Sequence, residues 1–137
     1  MTSDLTAFNL LQGALQAADL RQQVYANNIA NVDTPGYKRQ DVVFEDLLQS
    51  QMQQAPPAQM GVQQMAIPQP GNSNLAAVSQ IQPEVITDSS SAIQNNGNNV
   101  DINNEMTLLA ENQIRYNALI NDLKLRFSRT QAAIGGQ

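Results

Sequence analysis

Both ends of this chain carry an apolar stripe with alternating spacings of three and four residues, and the middle carries none. Such spacing places one apolar seam along one side of a long helix. Two helices of this kind can bury their seams against each other or against copies of themselves, which indicates assembly rather than catalysis. The predicted N-terminal seam is Phe8, Leu11, Leu15, Ala18, Gln22, Tyr25, Ile29 and Val32. The predicted C-terminal seam is Ile102, Met106, Leu109, Gln113, Tyr116, Ile120, Leu123 and Phe127.

Start and stop signals at the ends of the stripes set the limits of two helices. The first helix is predicted to begin near Ser3 or Asp4, both good N-caps, and to end near Asn31. Beyond it, Thr34 precedes a proline and is biased away from the helical region, while Pro35-Gly36 fits the centre of a type II turn. The chain is therefore expected to reverse just after the first helix.

The second long helix is predicted to begin between Asn99 and Asn103, to run to about Ala133 and to end at Gly135-Gly136. The predicted fold class is mainly α. Two long terminal helices pair as a coiled-coil-like core domain, and the middle is irregular and rich in Gln, Pro and Asn.

The chain between the two helices changes character at about residue 49. Before that point, residues 41–48 are predicted to form a short helix, although Val42-Val43-Phe44 also fits a strand. After it, five of the six prolines predict a loop, with one short β-segment at Ile81–Ile86. The predicted organisation is an N-terminal helix over 1–34, a turn and short segment over 35–48, a flexible or partner-ordered linker over 49–98 and a C-terminal helix over 99–137.

The composition contains few of the residues that carry enzyme chemistry. The chain has no cysteine and no histidine, which removes the thiolate nucleophile and the commonest general base and metal ligand. The Asn-rich run 95–101 does not match a calcium loop, because no register places an acid at position one, Gly at six and Glu at twelve. We therefore expect no enzyme activity, no catalytic residue, no cofactor and no metal site.

The charge distribution excludes a nucleic-acid partner. The formal net charge is -5, and no Lys or Arg occurs between Gln40 and Ile114, so there is no basic face. The first residues, Met1 to Leu5, have neither a basic region nor an apolar run, so we expect no conventional signal peptide. No stretch is long and apolar enough to predict a membrane span.

The two stripes share one polar detail. Each holds a glutamine followed three residues later by a tyrosine, Gln22 with Tyr25 and Gln113 with Tyr116. A polar residue in a seam can fix the register of two helices. The alternatives are coincidence or a glutamine at the wet edge of the seam.

The segment Tyr25–Arg39 strongly resembles the signature of the bacterial flagellar rod and hook protein family, usually close to A-N-N-x-A-N-x-x-T-P-G-Y. Near the C-terminus, the segments 97–106 and 111–116 are similar to the FlgB subfamily of proximal rod proteins, with the FlgC subfamily as the alternative. The signature positions matched are Ala26, Asn27, Asn28, Ala30, Asn31, Thr34, Pro35, Gly36 and Tyr37.

The resemblance implies a structural subunit of the proximal rod, the torque-transmitting drive shaft of the flagellar basal body. It implies a periplasmic location and export by the flagellar type III apparatus without a cleaved signal peptide. The implied partners are copies of the chain, other rod proteins, the rod–membrane-ring adapter FliE, the membrane ring and the export gate. A non-polymerising helical adapter of the basal body remains an alternative.

The signature, extended by two cations, is the predicted assembly motif. Lys38 and Arg39 are the cations nearest the acidic middle, which favours either an intersubunit contact or a local cap. Because much of the seam is expected to be buried only on assembly, we expect the dilute chain to have low helix content. The motif residues are Asn27, Asn28, Asn31, Thr34, Pro35, Gly36, Tyr37, Lys38 and Arg39.

Overall fold

The computed structural model describes residues 2–53, 81–89 and 97–135. Its elements in chain order are α1 (Thr2–Ala30), β1 (Gln40–Val43), α2 (Glu45–Gln53), β2 (Glu84–Thr87) and α3 (Ile102–Gly135). The predicted mainly helical fold is confirmed, since α1 and α3 are long and pack against each other. None of the described helices is both long enough and apolar enough to cross a bilayer.

The two long helices run antiparallel. The rings of Phe8 and Phe127 meet edge to face at one end, with centroids 6.0 Å apart. At the other end, the Asn28 amide donates to the carboxylate of Glu105. Residue numbers therefore rise along α1 as they fall along α3, as expected for a hairpin of two helices.

The chain reverses after α1 at the predicted place. The Tyr37 N–H donates to the Thr34 carbonyl at 3.2 Å, and Gly36 has a φ of 73°. A positive φ at the third residue of such a turn fits type II geometry and favours glycine. At the start of α3, the Asp101 carboxylate accepts from the backbone N–H of Asn103 at 2.9 Å and so acts as the N-cap.

The segment after the turn contains both structures that its sequence allows, a strand and then a helix. α2 continues past residue 48 to Gln53, because Glu45 and Asp46 in its first turn suit the helix dipole and no proline interrupts it. β2 pairs antiparallel with β1 and lies inside the predicted linker, close to the predicted segment at 81–86. The rest of that linker, residues 54–80 and 90–96, lies outside the described residues.

The apolar core lies where β1 covers the helix pair near its closed end, by which we mean the end where α1 finishes and α3 begins. There α1 faces both α3 and the strand, so its buried side is broader than a two-helix seam requires. Phe44, just after β1, packs so close to Gly13 that a Cβ there would lie 3.1 Å from its ring. The cluster consists of Val24, Tyr25 and Val42, with Leu20, Leu108 and Leu109 packed against it.

Candidate functional site: a polar latch between the helices

The motif after α1 folds back against the start of α3 and forms a hydrogen-bonded cluster, which we call the polar latch. It joins the end of α1, the strand β1 and the segment that leads into α3. Its residues are Asn28, Tyr37, Arg39, Asn98, Asn99 and Glu105.

Asn28 is the centre of the polar latch and is fully buried. Its amide group donates to the Gln40 carbonyl at 2.7 Å and to Glu105 Oε2 at 2.9 Å. Its Oδ1 accepts from the Gln40 N–H at 3.0 Å and from the Tyr37 hydroxyl at 3.1 Å. An asparagine side chain has two donors and two acceptor sites, so its hydrogen-bonding capacity is filled by its own chain.

Glu105 brings a carboxylate into the same cluster, although it has no exposed surface. Its Oε1 accepts from Arg39 Nε at 2.5 Å, and Arg39 Nη1 also pairs with Asp41 at 2.9 Å. Burial opposes the charged form of Arg39, but the hydrogen bonds to the two carboxylates outweigh it and raise its pKa. A buried charge is tolerated when it is paired and hydrogen-bonded, as it is here.

Two buried asparagines before α3 tie this segment to the turn after α1 and to the backbone of Arg39. Asn98 Nδ2 donates to the carbonyls of Asn31 at 3.0 Å and Val32 at 2.7 Å. Both carbonyls belong to the turn just after α1, so Asn98 holds that turn against the start of α3. Asn99 Oδ1 accepts from the Arg39 N–H at 2.7 Å.

A second ion pair, beside the apolar core, joins α1 to the start of α2 and lies close to α3. Arg21 is buried on α1 and binds both carboxylate oxygens of Glu45, at the start of α2. Arg115 on α3 lies 3.6 Å from the same carboxylate. Hydrogen bonding from Arg21 lowers the pKa of the Glu45 carboxyl below its ordinary value, despite an opposing effect of burial.

The predicted assembly motif divides between the polar latch and the surface. Asn28, Tyr37 and Arg39 lie in the latch, whereas Asn27 is exposed on α1. Asn31 is half-buried, and its side chain donates to the Asn27 carbonyl at 2.8 Å. The rest forms the exposed turn Thr34, Pro35 and Gly36, followed by the half-buried Lys38. An intersubunit contact for Lys38 and Arg39 stays a prediction, although Arg39 already has partners in its own chain.

Within a single chain, the predicted seam residues are buried to very different extents. The positions on α1 that are buried are Leu11, Ala18 and Tyr25, and those half-buried are Leu15 and Ile29. The half-buried positions on α3 are Leu109, Tyr116, Ile120 and Leu123. The positions left exposed are Phe8, Gln22, Ile102, Met106, Gln113 and Phe127.

Four buried polar residues lie one position before predicted seam residues, and sequence reasoning missed their burial. Arg21 precedes Gln22, Asn28 precedes Ile29, Glu105 precedes Met106 and Asn112 precedes Gln113. The buried faces of α1 and α3 include these polar residues. A seam chosen only from apolar residues therefore passes beside them, along the edge of each buried face. The Asn-rich run 95–101 stands out in the sequence, but its composition gives no signal that Asn98 and Asn99 are buried.

Comparison with known proteins decides the family. A family model described as flagella basal body rod protein matches residues 8–38, which include α1 from Phe8 and the turn after it. A Bacillus subtilis protein named flagellar basal body rod protein FlgB is 34% identical over 92% of this chain and 91% of its own length. The chain belongs to the FlgB family of flagellar basal body rod proteins. FlgB from Escherichia coli is 34% identical over 80% of this chain and 79% of its own, and FlgB from Borreliella burgdorferi is 33% identical over 78% and 79%.

The FlgB relationship extends well beyond the signature. The matched 92% of the chain must include much of both α1 and α3, not only the segment around Asn28. This favours the FlgB subfamily over the FlgC alternative.

Among the residues that the structure describes, no group of three or more His, Cys, Asp or Glu side chains could hold a metal ion.

Proposed function

We propose that this chain is a structural subunit of the proximal rod of the bacterial flagellum, and so part of the shaft that transmits torque. Its similarity to proteins named FlgB over 92% of the chain supports this role. The observation that carries the proposal is the polar latch, because it gives the family signature a physical task. Asn28 and Tyr37 of that signature hold α1 against the start of α3.

In the proposed assembly, α1 and α3 form the core of each subunit, and exposed seam positions such as Met106 and Phe127 contact neighbouring subunits. The proposed partners are copies of this chain, other rod proteins, the adapter FliE, the membrane ring and the export gate. The proposed location is the periplasmic rod, reached through the flagellar type III apparatus without a cleaved signal peptide. The role is structural and requires no enzyme activity.

Deletion of the gene in a flagellated host tests the role directly. We expect a non-motile strain whose basal bodies lack a rod beyond the membrane ring, with both restored by the wild-type gene. A deletion strain that swims normally would overturn the proposal. One-to-one binding of the purified chain to a single basal-body protein, without polymerisation, would favour the adapter alternative.

Two neighbouring asparagines of the signature test the task of the polar latch. Asn28 is buried in the latch, whereas Asn27 is exposed one position earlier. We expect Asn28→Ala to abolish complementation, because it removes a hydrogen-bond partner from Gln40, Tyr37 and the buried Glu105 at once. Asn27→Ala is the matched control and should retain swimming. The reverse result would show that the signature acts mainly between subunits.

A further inference from the structure

Asn112 lies buried in the middle of the helix pair and is bonded to the backbone of the opposite helix. Its side chain is 4% exposed, and its Nδ2 donates to the Ala18 carbonyl on α1 at 2.7 Å. The orientation of the amide follows from this contact, because a carbonyl oxygen requires a donor. Among the described residues of α3, Asn112 is the one whose side chain hydrogen-bonds to the backbone of α1.

This contact depends on a place where the two backbones come close together. The residues of α1 at the contact are Ala17 and Ala18, both almost completely buried. Their single methyl groups let the short side chain of Asn112 reach a main-chain oxygen. A slip of one heptad would bring Leu11 or Tyr25 to this point, and their larger side chains would hold the helices apart.

The acceptor half of the Asn112 amide has no hydrogen-bond partner among residues 2–53, 81–89 and 97–135. Within the described part of the chain, its Oδ1 is buried and accepts no hydrogen bond. Leaving a buried acceptor unpaired destabilises a fold, whereas an apolar residue of similar volume would have no such group. Asn112 is therefore a poor choice for stability alone, and its geometry suits a different task.

We propose that Asn112 sets the axial register of α1 against α3 in the half of the hairpin that lies beyond the polar latch. The latch fixes the pairing near Asn28 and Glu105, and Asn112 is the next polar contact, one heptad further along α3. Beyond it, Arg115 pairs with Glu45 of α2, and the direct contact of α1 with α3 at the far end is the apolar pair of Phe8 and Phe127, which has no directional bond to fix a register. The predicted register residue Gln113 is exposed one position away, so the task belongs to its neighbour.

Paired spin labels on the full-length chain, in sucrose if the free chain is too marginal in plain buffer, test the register. The natural sequence has no cysteine, so two introduced cysteines are labelled without further changes. Exposed positions 12 and 124 report on the distal half, and exposed positions 26 and 107 report on the half beside the latch. Electron–electron distance distributions are then compared for Asn112→Leu and for the matched control Gln113→Leu, together with thermal melting.

We expect Asn112→Leu to broaden or split the distal distribution and leave the proximal one narrow, while Tm stays the same or rises by about 2–6 °C. Gln113→Leu should change neither distribution. An unchanged distal distribution in Asn112→Leu, or equal broadening in the control, would overturn the proposal. If leucine is too large beside Ala17 and Ala18, Asn112→Ala gives the same test. Loss of the fold in both variants would also overturn it, because Asn112 would then be essential for folding.

Discussion

The two ends of the helix hairpin are built from different chemistry. At the closed end, where α1 ends and α3 begins, Asn28 and Glu105 have no exposed surface and hydrogen-bond to each other. At the open end, Phe8 touches Phe127, yet Phe127 remains 58% exposed and Ile134 remains 82% exposed. The difference indicates that the chain supplies its own order at the closed end and leaves apolar surface for neighbours at the open end.

The largest effect should come from the closed end. Glu105→Ala leaves Arg39 and Asn28 with buried groups that have lost their common partner. Removing one member of a buried ion pair typically costs about 3–5 kcal/mol of unfolding free energy. Urea unfolding followed by circular dichroism measures the loss, in sucrose if the wild-type chain is too marginal in plain buffer.

Glu111→Ala is the control for this loss. It removes the same side chain from an exposed position on the same helix, so we expect a change of no more than about 0.5 kcal/mol. Equal losses in the two variants would show that the polar latch adds nothing special to stability.

The open end should behave in the opposite way. Phe127→Ala removes a ring that is more than half exposed in the single chain, so we expect a loss of only about 1 kcal/mol in the free protein. In the proposed rod the same ring lies against a neighbouring subunit, so complementation of motility should fall sharply. A large loss of stability together with normal swimming would contradict the comparison.

The smallest expected effect is the loss of stability at low pH when Glu45 becomes protonated. Hydrogen bonding from Arg21 lowers the pKa of Glu45 relative to its ordinary value of 4.5. A carboxyl whose pKa is lower in the folded state stabilises the fold above its unfolded pKa, and this contribution is lost as the pH falls through the folded value. The loss should be small, because the Glu45 side chain is 54% exposed.

Melting temperatures of the wild type and of Glu45→Gln, measured from neutral pH to below pH 4.5, isolate the stability that the ionised Glu45 carboxylate contributes. Below pH 4.5 the melting temperature of the wild type should fall further than that of the variant. Parallel curves for the two proteins would show that the pair with Arg21 does not contribute to stability.

The sequence predicts the helices and the turn of the hairpin better than it predicts the partners of the buried polar residues. Apolar periodicity identifies both long helices, and Pro35-Gly36 marks the turn, because these signals are local. The burial of Glu105 depends on Asn28, which is far away in the chain, and no local rule reveals that partner. For the same reason, the true polar positions lie one residue away from the seam predicted at Gln22 and Gln113.

Hydrogen exchange of the free full-length chain, read amide by amide, tests the difference between the two ends most directly. We predict the strongest protection beside the polar latch, in residues 24–28 of α1 and 105–112 of α3. Amides of residues 5–12 and 123–134 should exchange with little protection. Uniform protection along both helices, or stronger protection at the open end, would contradict the conclusion that the family signature acts as an intrachain latch.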